Sequence, residues 1–112
     1  MTPTPRLKAG IFVRALIRRV QVAGASAFVV RGGMEEAGAI ILKIAKLDGQ
    51  MLVLNQTRDA KGELAWAQPL GGWGEEARAN AWCAKQISFD PDLWIVEIED
   101  REGRVFVDEA IV

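Results

Sequence analysis

The stretch Ala39–Thr57, AIILKIAKLDGQMLVLNQT, constrains this chain more than any other. Two strand-like runs, Ala39–Leu47 and Gln50–Thr57, flank Asp48-Gly49. An Asp-Gly pair between apolar runs predicts a two-residue hairpin. In that register Leu47 faces Gln50, Ala45 faces Leu52 and Ile44 faces Val53. One face then carries Ile40, Leu42, Ile44, Met51 and Val53, and the other carries Ile41, Ala45, Leu47, Leu52 and Leu54. A strand pair wetted on one side alternates apolar with polar residues. This one is apolar on both faces, so both must be covered, by a helix on each or by a helix and a second copy of the chain.

The flanking segments supply the covers. Residues 1–6, with Pro3 and Pro5, read as an extended lead-in, because proline biases its predecessor away from helix. From Lys8 to Ala23, Phe12, Val13, Leu16, Ile17, Val20 and Ala23 share one helical face, with Arg14, Arg18 and Gln21 opposite. Gly24 is placed to end this helix in a left-handed cap. A second helix, rich in alanine, spans Glu75–Ile87. Further strands are expected at Ala27–Arg31 and at Glu63–Gln68, the latter entered by a turn at Asp59–Gly62, with a loop over Pro69–Gly74. Leu93–Glu99 and Arg104–Val107 read as a closing hairpin around Asp100–Gly103. The order α-β-β-β-β-α-β-β predicts a single α+β domain over residues 1–112. Its sheet should be mostly antiparallel, with about five to six strands and one helix on each face.

Composition removes several chemistries. Histidine is absent and cysteine occurs once, at Cys83. An intramolecular disulfide, a multi-cysteine zinc site, a Cys-His nucleophile and a Ser-His-Asp triad are therefore excluded. The apolar stretch Ile11–Val20 is broken by Arg14, Arg18 and Arg19, so it is neither a signal-peptide core nor a membrane span. A cytoplasmic location is expected. Net charge is −1, which favours no partner in bulk. Yet residues 1–34 hold six basic groups and no acid, whereas residues 90–112 hold eight acids against Arg101 and Arg104. Such asymmetry marks either a binding arm or a first helix packed near the last strands with its charges neutralised there. Without net positive charge, nucleic-acid binding through Arg14, Arg18 and Arg19 is the weaker reading. The basic first helix could lie on an anionic membrane, but its apolar arc is equally what covering one sheet face requires, and that reading is preferred.

Several features are candidate sites. In Phe89–Asp100, FDPDLWIVEIED, the strand pattern points Trp94, Val96 and Ile98 to one face and Leu93, Ile95, Glu97 and Glu99 to the other. Asp90, Asp92, Glu97 and Glu99 are the candidate ligands for a hard divalent cation, which takes oxygen donors. No calcium-loop spacing is present, and a strand emerging into solvent accounts for the acids equally. The glycines of Leu70–Gly74 resemble an anion cradle, but Glu75 and Glu76 fill the helix start that follows, and no Gly-Lys-Ser/Thr ending is present. Trp82 is either a core anchor or an exposed contact residue, and Trp73 lies in the loop before that helix. Trp82, Trp73, Arg14, Arg18 and Arg19 are thus the candidate partner-binding residues. No catalytic residue, cofactor or bound metal is assigned.

Phe89-Asp90-Pro91-Asp92-Leu93-Trp94, then Glu97-Ile98-Glu99-Asp100-Arg101 and Gly103-Arg104, resembles the closing signature of an alphaproteobacterial family catalogued as domain of unknown function 1491. Arg18-Arg19 with Ala23-Gly24, and Glu36–Ala39 leading to Lys43 and Leu47-Asp48-Gly49, are similar too. The resemblance implies a small bacterial cytoplasmic protein and transfers no activity. The expected function is a non-catalytic protein-interaction module that forms a homodimer. The alternatives are a metal-dependent enzyme on a phosphate ester through the acidic cluster, and an anion or nucleic-acid binder through the first helix.

Overall fold

The structure, a computed structural model, describes residues 7–112, and the expected lead-in at residues 1–6 lies outside the described residues. Its elements are α1 (Ala9–Val22), β1 (Ser26–Arg31), β2 (Ile40–Ala45), β3 (Gln50–Arg58), β4 (Leu64–Ala67), β5 (Gly74–Glu75), α2 (Glu76–Phe89), β6 (Trp94–Glu99) and β7 (Ala110–Ile111). The strands lie in the order β1-β6-β2-β3-β4-β7, and β5 pairs with the start of β3. Pairing is antiparallel except at β2–β6 and β4–β7. The fold is α+β with a largely antiparallel sheet, as the element order predicts.

Both faces of β2–β3 are covered. On one, Val13, Leu16 and Val20 of α1 pack with Ile40, Leu42, Ile44, Leu52 and Leu54. On the other, Ala79 and Cys83 of α2 pack with Ile41, Ala45, Met51 and Val53. Burying a side chain of this kind stabilises by about 1.5–3 kcal/mol relative to leaving it wet.

The membership of those two clusters corrects the hairpin. Ile44 pairs with Leu52 and Ala45 with Met51, one residue away from the expected register. The Lys46 N–H donates to the Gln50 carbonyl (3.2 Å), so Leu47-Asp48-Gly49 forms a three-residue loop. Leu47 adopts φ 65° and Gly49 φ 91°, and the Asp48 carboxylate accepts the Gln50 N–H at 3.0 Å. A one-residue slip moves every side chain to the opposite face. Leu52 and Leu54 therefore join the α1 face, and Met51 and Val53 join the α2 face.

The helix ends follow local chemistry. After Ala23, Gly24 takes φ 87° and its N–H donates to the Gln21 carbonyl, while the Ala25 N–H reaches Val20. This is the paired-bond left-handed cap that Gly24 predicts. At the other end the Ala9 and Gly10 N–H groups donate to the Glu36 and Glu35 carbonyls. The start of α2 is capped by the hairpin tip, since the Glu76 N–H donates to the Gly49 carbonyl at 3.1 Å.

The expected closing hairpin does not form. β6 lies between β1 and β2, so both its edges are occupied and Arg104–Val107 has no edge to pair with. Phe106 sits at φ 61°, which breaks extension, and Val105, Phe106 and Val107 pack instead on the α1 face. The final strand is the two-residue β7, parallel to β4.

Candidate functional site

The signature residues of the C-terminal third are occupied with holding the chain together. The Asp90 carboxylate accepts the Asp92 N–H at 3.0 Å, and the Asp92 carbonyl accepts the Met34 N–H at 2.8 Å. The Trp94 indole donates to the Met34 carbonyl (2.8 Å), and Arg31 donates to the Pro91 carbonyl (3.0 Å). A Cβ at Gly38 would overlap the Asp92 carbonyl and lie 2.9 Å from the Trp94 ring, so the close approach depends on glycine. At the far end of β6, the Asp100 carboxylate accepts the Arg104 backbone N–H at 2.8 Å and two guanidinium N–H bonds at 3.0 Å. Chiefly through those guanidinium bonds, Arg104 holds the Asp100 carboxyl below the usual carboxylate range. Trp73 packs over Gly103 and beneath Lys46, whose ammonium lies 4.3 Å from the ring centre.

The four candidate metal ligands are spread along β6 and the turn before it. Asp90 and Asp92 precede its first residue, Glu97 is in its second half and Glu99 closes it. At about 3.3 Å per extended residue, Asp92 and Glu97 are separated by roughly 16 Å of chain. Among the described residues, no three carboxylate or thiol groups come close enough to share an ion.

Glu97 has a different neighbour. It is the register partner of Lys43 in β2, and the Lys43 ammonium lies 3.3 Å from its carboxylate. The two side chains are only 9 % and 15 % exposed. They lie on the α2 face beside Cys83, whose thiol is pushed up chiefly by burial, against the opposing pull of Lys43. Neither Lys43 nor this pair was among the expected site residues. The signal was present in ILKIA and IVEIE, each an apolar strand with one charge inside it, of opposite signs. Cys83 is buried with its thiol proton retained, the state of an inert packing cysteine.

The basic helix is partly neutralised where it packs. Arg14 makes a forked contact with Glu35, and Arg19 donates to the Phe106 carbonyl (2.6 Å) and lies 3.6 Å from Asp108. Arg18 is exposed. Trp82 is half-buried against the α2-face cluster, while Ala77, Ala81 and Ala84 face outward, so the tryptophan anchors the helix.

What these contacts leave unused is the edge strand β1. Phe28, Val29 and Val30 are 43 %, 42 % and 49 % exposed, and the outer edge of the strand pairs with nothing among the described residues. Ser26 to Val30 carries no charge. Edge strands are ordinarily blunted by charge, proline or shortness, because their free N–H and C=O groups are a template for another strand. Here the blunting is limited to a register shift between Val29 and Arg31. Phe28 lies opposite Glu97 on the α2 face, and Val29 lies opposite Val96 on the α1 face.

A sheet with one helix per face, a pinned C-terminal strand and one apolar open edge defines a small α+β scaffold. The chain belongs to the family described as Protein of unknown function (DUF1491), which matches residues 7–108. It is similar to a DUF1491 family protein from Caulobacter crescentus CB15 solved by crystallography, with 37 % identity and TM-score 0.89, covering 96 % of this chain and 100 % of that one. An NMR structure of a DUF1491 family protein from the same bacterium gives 36 % identity and TM-score 0.85 over 97 % and 99 % of the two chains. The solution structure of protein Atu0922 from A. tumefaciens gives 32 % identity and TM-score 0.75 over 94 % and 97 %. No curated protein matches the sequence. Among the described residues, no helix is long and apolar enough to cross a membrane.

Proposed function

We propose that this protein is a non-catalytic, cytoplasmic protein-interaction module whose contact surface is the open edge of β1. The observation that carries this reading is the uncharged run Phe28-Val29-Val30, exposed at the end of the sheet with its outward backbone groups unpaired. An incoming extended segment adds a strand there, with main-chain bonds giving affinity and side chains on the two faces giving selectivity. The titratable clusters favour no chemical step. Lys43–Glu97 and Asp100–Arg104 are closed pairs, and the acids of β6 are spread along its length.

A photo-crosslinking residue placed at Val29 in the native host tests this. The expected result is a discrete adduct from position 29 and none from the same residue placed at Ala84, exposed on the outer side of α2. No adduct from position 29, or the same adducts from both positions, removes the edge as a contact surface.

A further inference from the structure

We infer that the strand received by β1 is the β1 of a second copy of this chain, paired antiparallel about a two-fold axis normal to the sheet. This deepens the interaction reading and rests on it. The edge is self-complementary in three respects. It is apolar on both faces, with Phe28 on the α2 side and Val29 on the α1 side, so a copy turned about the axis meets like surface on each. No charge lies between Ser26 and Val30, so the central pairs bring no like charges together. Its two ends also differ in charge: Arg31 closes one end of β1, and the other end, Ser26, is flanked by Glu99 of the neighbouring strand β6. Antiparallel pairing brings the Arg31 end of one copy to the Glu99 end of the other.

Geometry restricts the register. An axis normal to the sheet keeps the same face up in both copies, and residues directly opposite in an antiparallel pair share a face. Only residues of equal parity can then stand opposite one another. Near the strand centre this leaves Phe28 opposite Phe28 of the partner subunit, or Val29 opposite Val29 of the partner subunit. The shift between Val29 and Arg31 confines regular pairing to the first part of the strand, so the contact is small and its occupancy depends on concentration.

The test uses the full chain with Phe28→Cys, Val29→Cys and, as control, Ala84→Cys, each oxidised under native conditions. It is run beside sedimentation equilibrium of the wild type. Residues facing themselves across the axis have Cβ atoms within about 4.5–5.5 Å, close enough to bridge with small backbone adjustment. The expected result is a disulfide-linked species of twice 12.3 kDa from one of the two edge variants, the other much slower, and none from Ala84→Cys. The wild type should show a concentration-dependent rise toward that mass, and Val29→Lys should weaken it at least tenfold. A wild type that stays at 12.3 kDa at high concentration, with neither edge variant trapped, overturns self-pairing. If position 29 nevertheless crosslinks to a different protein in the host, the interaction reading stands and only the identity of the partner falls. Equal trapping of all three variants reports random collision and also overturns it.

Discussion

Lys43 and Glu97 each place a charge inside an apolar strand, and each is tolerable only because the other is there. Removing one partner of a buried pair leaves an uncompensated charge and costs about 3–5 kcal/mol, whereas replacing both with apolar groups of similar size is often neutral. Glu97→Ala is therefore expected to lower unfolding free energy by about 3 kcal/mol. The double change Lys43→Met with Glu97→Leu should cost far less than the sum of the singles, as urea denaturation of the four proteins would show. Additive losses would mean that the two charges are solvated separately. Asp100 gives a pH prediction. Arg104 holds its carboxyl low, so the folded state favours the ionised form. The contribution is complete above the unfolded value of about 3.9 and disappears as pH falls through the lower folded value. Because Arg104 is nearly half exposed, Asp100→Asn should cost only a small part of the stability at pH 7, and urea denaturation of the two proteins should converge in strong acid. At this scale much was legible: the left-handed cap at Gly24 and the facing of Trp94, Val96 and Ile98 were read from the residues alone. Lys43 was not, because its partner lies on a strand more than fifty residues away.

The elements were legible where their signals are local and illegible where they depend on distant pairing. The two helices, the β2–β3 pair and the strands β1, β4 and β6 stand near their expected positions. The hairpin register did not, since Leu47 adopts a positive φ that a residue pattern would assign to glycine or asparagine. The placement of β6 between β1 and β2 has no local signature at all, and it decides that Arg104–Val107 cannot be a strand. That insertion is made secure by the loop from Gly33 to Gly38, which closes over Asp92-Leu93-Trp94. Gly38→Ala would drive a methyl group into the Asp92 carbonyl, a backbone atom that cannot swing aside. Overpacking of this kind costs about 1–3 kcal/mol. The expected loss is in that range, together with faster amide exchange in β1 and β6. A similar Ala substitution at Gly62, where a Cβ meets nothing within 4 Å, should leave β6 exchange unchanged while still costing stability through its φ of 80°.

For the molecule as a whole, the two ends of the sheet are unlike. At one, β1 offers six residues, three of them large and exposed. At the other, β7 is two residues long, held to β4 by parallel pairing and by the Val112 N–H donating to the Trp66 carbonyl at 2.8 Å. The adjacent Trp66 indole is taken by Glu109 at 3.0 Å. This difference bears on how far assembly can proceed. Contact between β1 and β7 of successive copies would be head-to-tail, and a head-to-tail contact that fails to close extends without limit. Contact between β1 and β1 uses the same edge on both copies, so the second copy consumes the one long edge that the described residues of the first leave open. The assembly should therefore saturate at twice 12.3 kDa, with no larger species as concentration rises. Light scattering across a wide concentration range measures this. A plateau at two copies fits the β1–β1 contact. Continued growth would place β7 in the interface, and deleting residues 110–112 should then halt it while leaving a β1–β1 dimer untouched.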